Sequence, residues 1–456
     1  MSKRHYKNTL LRYTFKHMPD QVDIAASAAE VLRQNDRTSY TVPAGDLYPH
    51  QWLWDSCFIS IGLRHLDVER AKMEVLSLLR GQWSNGMLPN MIFSHKAEYA
   101  SDRNAWRSWL SPHAPEGVTT SGITQPPMLA EAVVRIGEKL DWPERRLWYR
   151  QIWPALLAYH IWIYEERDPH HEGLALLIHP WETGLDNTPP WMSELHEHQL
   201  SWWIRAMHKT HTDNIVGLFR RDTRSVPANE RFTNVEVLAL YDIQLRLRRK
   251  GYDIDKILNH SMFTIEDLGF NSILIRANSH LRTIAKSINE DIPPNLDKAM
   301  HQTENALEDL WNDNSGQYYS RDFMSHDLIY ESSIATLLPL YAGCISKEHA
   351  ERLVRLLENE HHFGLAYPVP SVPKSSRWFD PKRYWQGPTW LNMNWLIIDG
   401  LERYGFHDHA TLLRELSLEL VHKSGFSEYF NPLTGEAEGA DNFSWTAALA
   451  IDFLKR

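Results

Sequence analysis

The chain has 456 residues, 43% of them hydrophobic and 23% charged, a balance that buries a large core without needing disulfides or metals. Its formal net charge of −10 argues against nucleic acid or an anionic membrane as the main partner. Two cysteines, Cys57 and Cys344, sit in apolar, helix-like sequence and read as small buried hydrophobes, not as a disulfide framework.

In chain order, the basic start Met1-Ser-Lys-Arg-His-Tyr-Lys7 leads into no apolar run, so no signal peptide is expected and the cytoplasm is the simplest location. No apolar run is long enough for a membrane span. Helical periodicity then dominates. A first amphipathic helix is predicted over 21–34. Helices over 54–66 and 68–80 form an antiparallel pair joined at Asp67. A second pair covers 127–140 and 146–166, and single helices follow over 234–250, 264–288 and 295–311. Two more pairs fall at 332–341 with 347–358 and at 389–404 with 408–421, before a last helix at 442–454. Only 173–178 and 317–321 read as short extended pieces. A dozen helices in hairpin pairs with long loops predict an all-α toroid whose loops gather at one end and build a pocket. No composition break marks a linker, so residues 1–456 read as a single catalytic domain. Residues 82–125, rich in Ser, Pro, Trp and Gly, read as an excursion that caps one end.

The chemistry lies in loops. His179-Pro-Trp-Glu-Thr-Gly-Leu-Asp-Asn-Thr-Pro-Pro-Trp191 places Asp186 among Trp181, Leu185 and Trp191. An apolar aromatic wall raises a carboxyl pKa, as a general acid requires, whereas a purely structural Asp186 would cap a turn or helix. Ser424-Gly-Phe-Ser-Glu-Tyr-Phe-Asn-Pro432 offers Glu428 as a base with aromatic flanks, against the rival Glu436 and Glu438 in a polar, Gly-rich loop. Tyr48-Pro-His-Gln-Trp-Leu-Trp-Asp-Ser56 supplies stacking rings and hydroxyl acceptors in Gln51, Trp54 and Asp55, and Gln125 is similarly placed before a helix. Arg377-Trp-Phe-Asp-Pro-Lys-Arg-Tyr-Trp-Gln-Gly-Pro-Thr-Trp390 crowds aromatic, amide and cationic groups around a turn. Arg220, Arg221, Arg377 and Arg383 are candidates to grip an anionic substrate group. The histidines form no convincing metal set, and neither a phosphate loop nor a nucleophile-elbow serine appears, so no metal or cofactor is expected.

Together, Gln51-Trp-Leu-Trp-Asp55, Trp181-Glu-Thr-Gly-Leu-Asp-Asn187, Tyr384-Trp-Gln-Gly-Pro388 and Phe426-Ser-Glu-Tyr429 resemble glycoside hydrolase family 63, over most of the chain from about Tyr48 to Trp445. The sequence is most similar to the small bacterial mannosylglycerate and glucosylglycerate hydrolases of that family. The resemblance implies an (α/α)6 barrel and single-displacement, inverting hydrolysis of an α-glycosidic bond. It implies Asp186 as the acid, Glu428 as the base, and a sugar subsite of Trp52, Trp54, Asp55, Trp385 and Gln386. Acceptor-side groups fall near Tyr48, Tyr99, Gln125, Arg220 and Tyr384. Trp181 and Trp390 complete the candidate binding set. Arg220 and Arg221 both stand in register for a glycerate-binding arginine.

The expected reaction is hydrolysis of a small α-glucoside or α-mannoside, with glucosylglycerate or mannosylglycerate foremost. The two carboxyls should stand about 6.5–9.5 Å apart, leaving room for a water. Trehalase-like or α-glucosidase action on a neutral sugar is the alternative within hydrolases. A sugar epimerase, which would work through histidines, and a non-catalytic sugar-binding protein are the alternatives outside it. The expected partner is a small sugar, its aglycone open to a carboxylate, and a homo-oligomer stays open.

Overall fold

The computed structural model describes residues 21–45, 47–192, 201–210, 226–259, 261 and 263–456. Twelve of the described helices build a barrel and are numbered here in chain order. They are α1 (Gln21–Asn35), α2 (Leu53–Leu63), α3 (Val68–Leu79), α4 (Leu129–Gly137), α5 (Trp142–Glu166) and α6 (Leu268–Ile288), then α7 (Pro294–Ala306), α8 (Pro339–Ala342), α9 (Lys347–Glu358), α10 (Leu391–Arg403), α11 (His407–Ser424) and α12 (Ser444–Lys455). The even-numbered helices touch in a closed ring, from α2 through α4, α6, α8, α10 and α12 back to α2. The odd-numbered helices wrap it: α1 lies on α12, α3 on α2, α5 on α4 and α6, α7 on α6, α9 on α8, and α11 on α10. This is an (α/α)6 barrel.

Composition decides which ring a helix joins. The inner α2, Leu-Trp-Asp-Ser-Cys-Phe-Ile-Ser-Ile-Gly-Leu, is buried at every residue, and α10 is buried continuously from Leu391 to Leu401. A helix without a polar face has no way to lie against water. The outer α9 carries charges around a narrow apolar stripe and buries only Ala350, Leu353, Val354 and Leu357. Side-chain caps fix several starts. Asp67 accepts from the Arg70 N–H at 3.0 Å, Asp267 from Phe270 at 2.7 Å and Ser346 from His349 at 3.0 Å.

Three expected helices are shorter than their periodicity suggests. Residues 265–266 pair as a strand between Leu176–Leu177 and Arg321–Asp322, so α6 begins at Leu268. The helix expected over 295–311 ends at Ala306 in a 3-10 turn, because Trp311 pairs across a tight hairpin with Tyr318. The one expected over 332–341 splits into a 3-10 turn, Ile334–Leu337, and the short α8, which opens on Pro339; a proline tolerates a helix start but not its interior. Cys57 is buried as expected, whereas Cys344 follows α8 in an exposed loop. Among the described residues no helix is long and apolar enough to cross a membrane.

Buried charges inside the ring are paired, which burial requires. Glu131 of α4 takes bonds from Arg135 at 2.6 Å, His280 of α6 at 2.5 Å and Tyr341 of α8 at 2.7 Å, while Arg135 also reaches Asp399 of α10 at 2.6 Å. One network thus ties four inner helices. The four sequence motifs lie on segments leading into inner helices or on a long insertion. Residues 48–52 enter α2, 384–390 enter α10 and 428–443 enter α12, while the Asp186 loop belongs to the insertion between α5 and α6. That insertion and the 82–125 excursion bind each other: Arg248 donates to the Ala105 carbonyl at 2.9 Å, and the Tyr252 hydroxyl donates to that of Trp106.

The ring is tight enough to test. A Cβ added at Gly62 of α2 would lie 2.3 Å from the Ala448 carbonyl oxygen of α12. Gly62→Ala should therefore destabilise the fold by about 1–3 kcal/mol, read from denaturant unfolding, despite alanine's better helix propensity.

Candidate active site

Asp186 follows a 3-10 turn, Pro180–Thr183, that ends in Gly184 at φ 72°. Only glycine serves there: a Cβ would stand 2.5 Å from Cη2 of Trp54. Trp54 therefore packs directly on the turn that delivers Asp186. The carboxyl is half-buried and accepts a bond from the Tyr384 hydroxyl at 3.1 Å. Burial pushes its pKa up to about 8; the Tyr384 bond opposes that rise, the charge of Glu428 adds to it, and Arg231 opposes it. Trp191 is fully buried, and its indole N–H holds the Asp186 carbonyl at 3.2 Å, so it supports the backbone of this loop.

Glu428 enters the same cavity from a hairpin, Tyr429–Phe430 paired with Ala437–Glu438. It is 2% exposed and accepts from three close donors. Tyr48 donates to Oε1 at 2.7 Å, Arg231 donates to Oε2 at 2.6 Å, and the Ala440 N–H donates to Oε2 at 3.0 Å. Gly439, at φ 74°, leaves room for this: a Cβ there would sit 2.8 Å from Oε2. The rival Glu438 is instead paired with Lys382 at 3.3 Å. Asp55, at the start of α2, is buried between the two carboxyls. Burial raises its pKa well above the usual carboxylate range, its own backbone hydrogen bond opposes this, and the charges of Glu428, Asp186 and Glu74 raise it further. Residues 242 positions apart in sequence, Asp186 and Glu428, thus act on each other and on Asp55 within one cavity.

The aromatic residues divide into a layer beside the carboxyls and a layer behind. Trp54 meets Trp385 at 6.2 Å between ring centroids, and Tyr48 meets Trp52 edge-on at 6.1 Å. Trp385 stacks on Trp390 at 3.7 Å and 2°. Trp390 is fully buried, donates its indole N–H to the Tyr384 carbonyl and backs the platform. The Gln386 amide donates to the Asn187 carbonyl at 2.8 Å, while its Oε1 has no partner among the described residues. Gln51 bonds in another direction. It alternates with Trp52 on a strand, and its amide bonds Ser77 at 2.5 Å and Ser56 at 3.1 Å on the side away from the carboxyls. The Gln125 side-chain oxygen Oε1 accepts from the Trp54 backbone N–H at 3.4 Å. On the two insertions, Tyr99 lies edge-on to His50 and Trp181 packs against His179 and Trp106.

Of the candidate arginines, Arg377 pairs with Glu331 at 3.0 Å and Arg383 with Glu236 at 2.8 Å, so neither is the anion grip expected of it. Arg220 and Arg221 lie outside the described residues. Sequence reasoning missed Arg231 and Asn187. Arg231 sits in Asn229-Glu-Arg-Phe-Thr233, a loop with an aromatic neighbour, the same setting that singled out the carboxylates. Asn187 bonds the Trp385 N–H at 2.8 Å as well as Gln386, and so locks the acid loop to the loop of Tyr384. That lock holds Tyr384 at φ 42°, a left-handed conformation costing a non-glycine residue about 1–3 kcal/mol.

Comparison with known proteins agrees with this geometry. Residues 48–446 match the family model of the mannosylglycerate hydrolase MGH1-like glycoside hydrolase domain. A mannosylglycerate hydrolase from Thermus thermophilus is 38% identical, over 93% of this chain and 99% of the relative. A glucosylglycerate hydrolase from Mycolicibacterium hassiacum is 32% identical, over 94% and 97%. The crystal structure of a family 63 mannosylglycerate hydrolase from Thermus thermophilus, in complex with Tris and D-glycerate, superimposes with a TM-score of 0.84 at 37% identity, covering 95% of this chain and 100% of that one.

The raised Asp186 pKa has a sign that stability measures. The folded-state value lies above the ordinary 3.8, so the stability this group contributes is present below pH 4 and is lost as pH rises toward 8. Asp186→Asn removes that loss. Its melting temperature relative to the parent should climb across pH 4 to 8 and level off above, and a flat difference would contradict the raised value. By family model, sequence and fold alike, the chain belongs to the mannosylglycerate hydrolase MGH1-like family of glycoside hydrolases and is a glycoside hydrolase.

Proposed function

We propose that this enzyme hydrolyses the α-glycosidic bond of mannosylglycerate or glucosylglycerate with inversion at the anomeric carbon. One observation carries the assignment of roles: two loop carboxyls share a cavity but occupy opposite environments. Asp186 is favoured in its protonated form up to about pH 8, whereas Glu428 is closed on by a guanidinium and two further donors. Pairs of acids whose surroundings differ in this way divide into a proton donor and a proton acceptor.

Asp186 gives its proton to the glycosidic oxygen as the bond to the anomeric carbon breaks. Glu428 removes a proton from a water that attacks that carbon from the opposite face. Trp52, Trp54, Asp55 and Trp385 form the sugar side. Tyr48, Tyr99, Gln125 and Tyr384 stand toward the aglycone, with Arg220 or Arg221 for its carboxylate. The 82–125 excursion and the insertion bonded to it cap the cavity. Support for a glycerate aglycone comes from the named activities of the relatives, and from the D-glycerate bound in the related crystal structure.

Following the product by NMR should show β-sugar released first from an α-glycoside; α-sugar first would overturn inversion. Asp186→Ala and Glu428→Ala should each lower kcat by about 10²–10⁴-fold with the circular dichroism unchanged. In a panel of mannosylglycerate, glucosylglycerate, kojibiose and trehalose, the two glycerates should have the highest kcat/KM. Preference for trehalose would refute the glycerate reading.

A further inference from the structure

Arg231 is buried, 3% exposed, and is assigned no part in the reaction by the sequence motifs. Its contacts are specific. Nη2 donates to Glu428 Oε2 at 2.6 Å, and Nη1 donates to the Tyr48 hydroxyl at 2.7 Å, with a longer reach of 3.4 Å to Oε1. Its guanidinium carbon also lies over the Tyr384 ring at 5.0 Å, and Tyr384 holds Asp186. One cation therefore stands behind both carboxyls.

A carboxylate offers about four acceptor positions, two on each oxygen. On Oε2 both are taken, by Arg231 and the Ala440 N–H. On Oε1 one is taken by Tyr48, and the other is held only by the long Nη1 contact. We propose that Arg231 is the positioning residue of this active site: its fork locks Oε2 and leaves Oε1 as the single oxygen that accepts the proton of the attacking water. The inference rests on Glu428 being the base. In the step it describes, a water O–H bond breaks, its proton goes to Oε1, and the water oxygen bonds the anomeric carbon. The electron pair of the broken glycosidic bond leaves on the oxygen protonated by Asp186.

The geometry also separates this role from substrate binding. Both terminal nitrogens of Arg231 are engaged, and its Nε is buried without a partner among the described residues. The end of the guanidinium is committed to Glu428 and Tyr48 through both terminal nitrogens. The groups facing Glu428 are Tyr48 from the segment before α2, Asp55 of α2, Asp186 and Arg231 from the insertion, Tyr384 before α10 and Tyr429 on its own hairpin. Among the described residues, Arg231 is the one cation in that set.

The test compares Arg231→Met and Arg231→Lys on the glycerate glycoside and on a neutral aryl α-glycoside of the same sugar. Arg231→Met should lower kcat at least 100-fold on both substrates with KM within threefold. It should also move the acidic limb of the kcat/KM profile up by at least one pH unit. Arg231→Lys keeps the charge without the fork, so its limb should stay within half a unit while kcat falls about tenfold. A rise in KM confined to the glycerate substrate, with the limb unmoved, would make Arg231 an aglycone anchor and overturn the proposal. Should Arg231→Met melt early, adding Glu428→Gln should restore most of the lost melting temperature; failure to do so would show that Arg231 does not act through Glu428. Full activity in Glu428→Gln alone would instead sink the base assignment, leaving the two failures distinguishable.

Discussion

A single guanidinium closing on one of three clustered carboxyls is the constraint on which the rest of the cavity depends. Asp55, Asp186 and Glu428 share a space walled by tryptophan and tyrosine. Three anions in such a place would repel one another and lose hydration, each at several kcal/mol. The cavity resolves this unevenly. Glu428 receives Arg231, the Tyr48 hydroxyl and a backbone N–H. Asp55 and Asp186 receive little compensation, and burial drives both toward the protonated form. The difference in charge state between neighbouring acids is therefore built by the distribution of donors, since the side chains themselves are of one chemical type.

Holding that distribution requires a backbone bent to fit. Gly184 lets the acid loop pass against Trp54, and Gly439 lets the base hairpin pass against its own glutamate. Tyr384 adopts a left-handed conformation that its side chain disfavours, and Asn187 with the buried Trp390 keeps it there. Strain of this kind persists only where the surroundings over-determine it. Here the surroundings are the starts of the inner helices, which are buried throughout and cross-linked by Glu131, Arg135 and Asp399. The rigid ring is what allows loops, normally the mobile part of a fold, to carry carboxyls at fixed separations.

The ring itself was largely legible in the sequence, because the helical periodicity of successive hairpin pairs survives in the residue order. Where tertiary pairing competed with periodicity, as at residues 265–266 and at Trp311, pairing won. The two candidate carboxyls, Asp186 and Glu428, stood out because aromatic loops have little structural use for an acid. The same reasoning could not tell which way neighbouring side chains turn: Gln51 bonds Ser56 and Ser77, since one step along a strand reverses a side chain, and Trp390 stacks behind Trp385. Arg231 was invisible for the opposite reason. An arginine's value here comes from Tyr48, Glu428 and Tyr384, which stand 183, 197 and 153 positions away, and nothing in its own loop records them.

The site also divides along the chain in a way that bears on how such enzymes differ. The proposed base and the rings proposed for the sugar side stand on short segments entering α2, α10 and α12, parts of the ring that cannot shift without opening it. Of the positions proposed for the aglycone, Tyr99, Gln125 and Arg220 or Arg221 belong to the two long insertions, 82–125 and 167–267, whereas Tyr48 and Tyr384 stand on the segments entering α2 and α10. Insertions are the parts of such a fold that change length and composition most readily while the ring stays closed. A barrel of the same fold occurs in the neutral trehalase of Saccharomyces cerevisiae, with a TM-score of 0.55 at 18% identity. The proposed base stands on the ring, whereas Asp186 and Arg231 stand on the insertion between α5 and α6, so the two halves of the proposed proton chemistry meet only where that insertion closes on the ring.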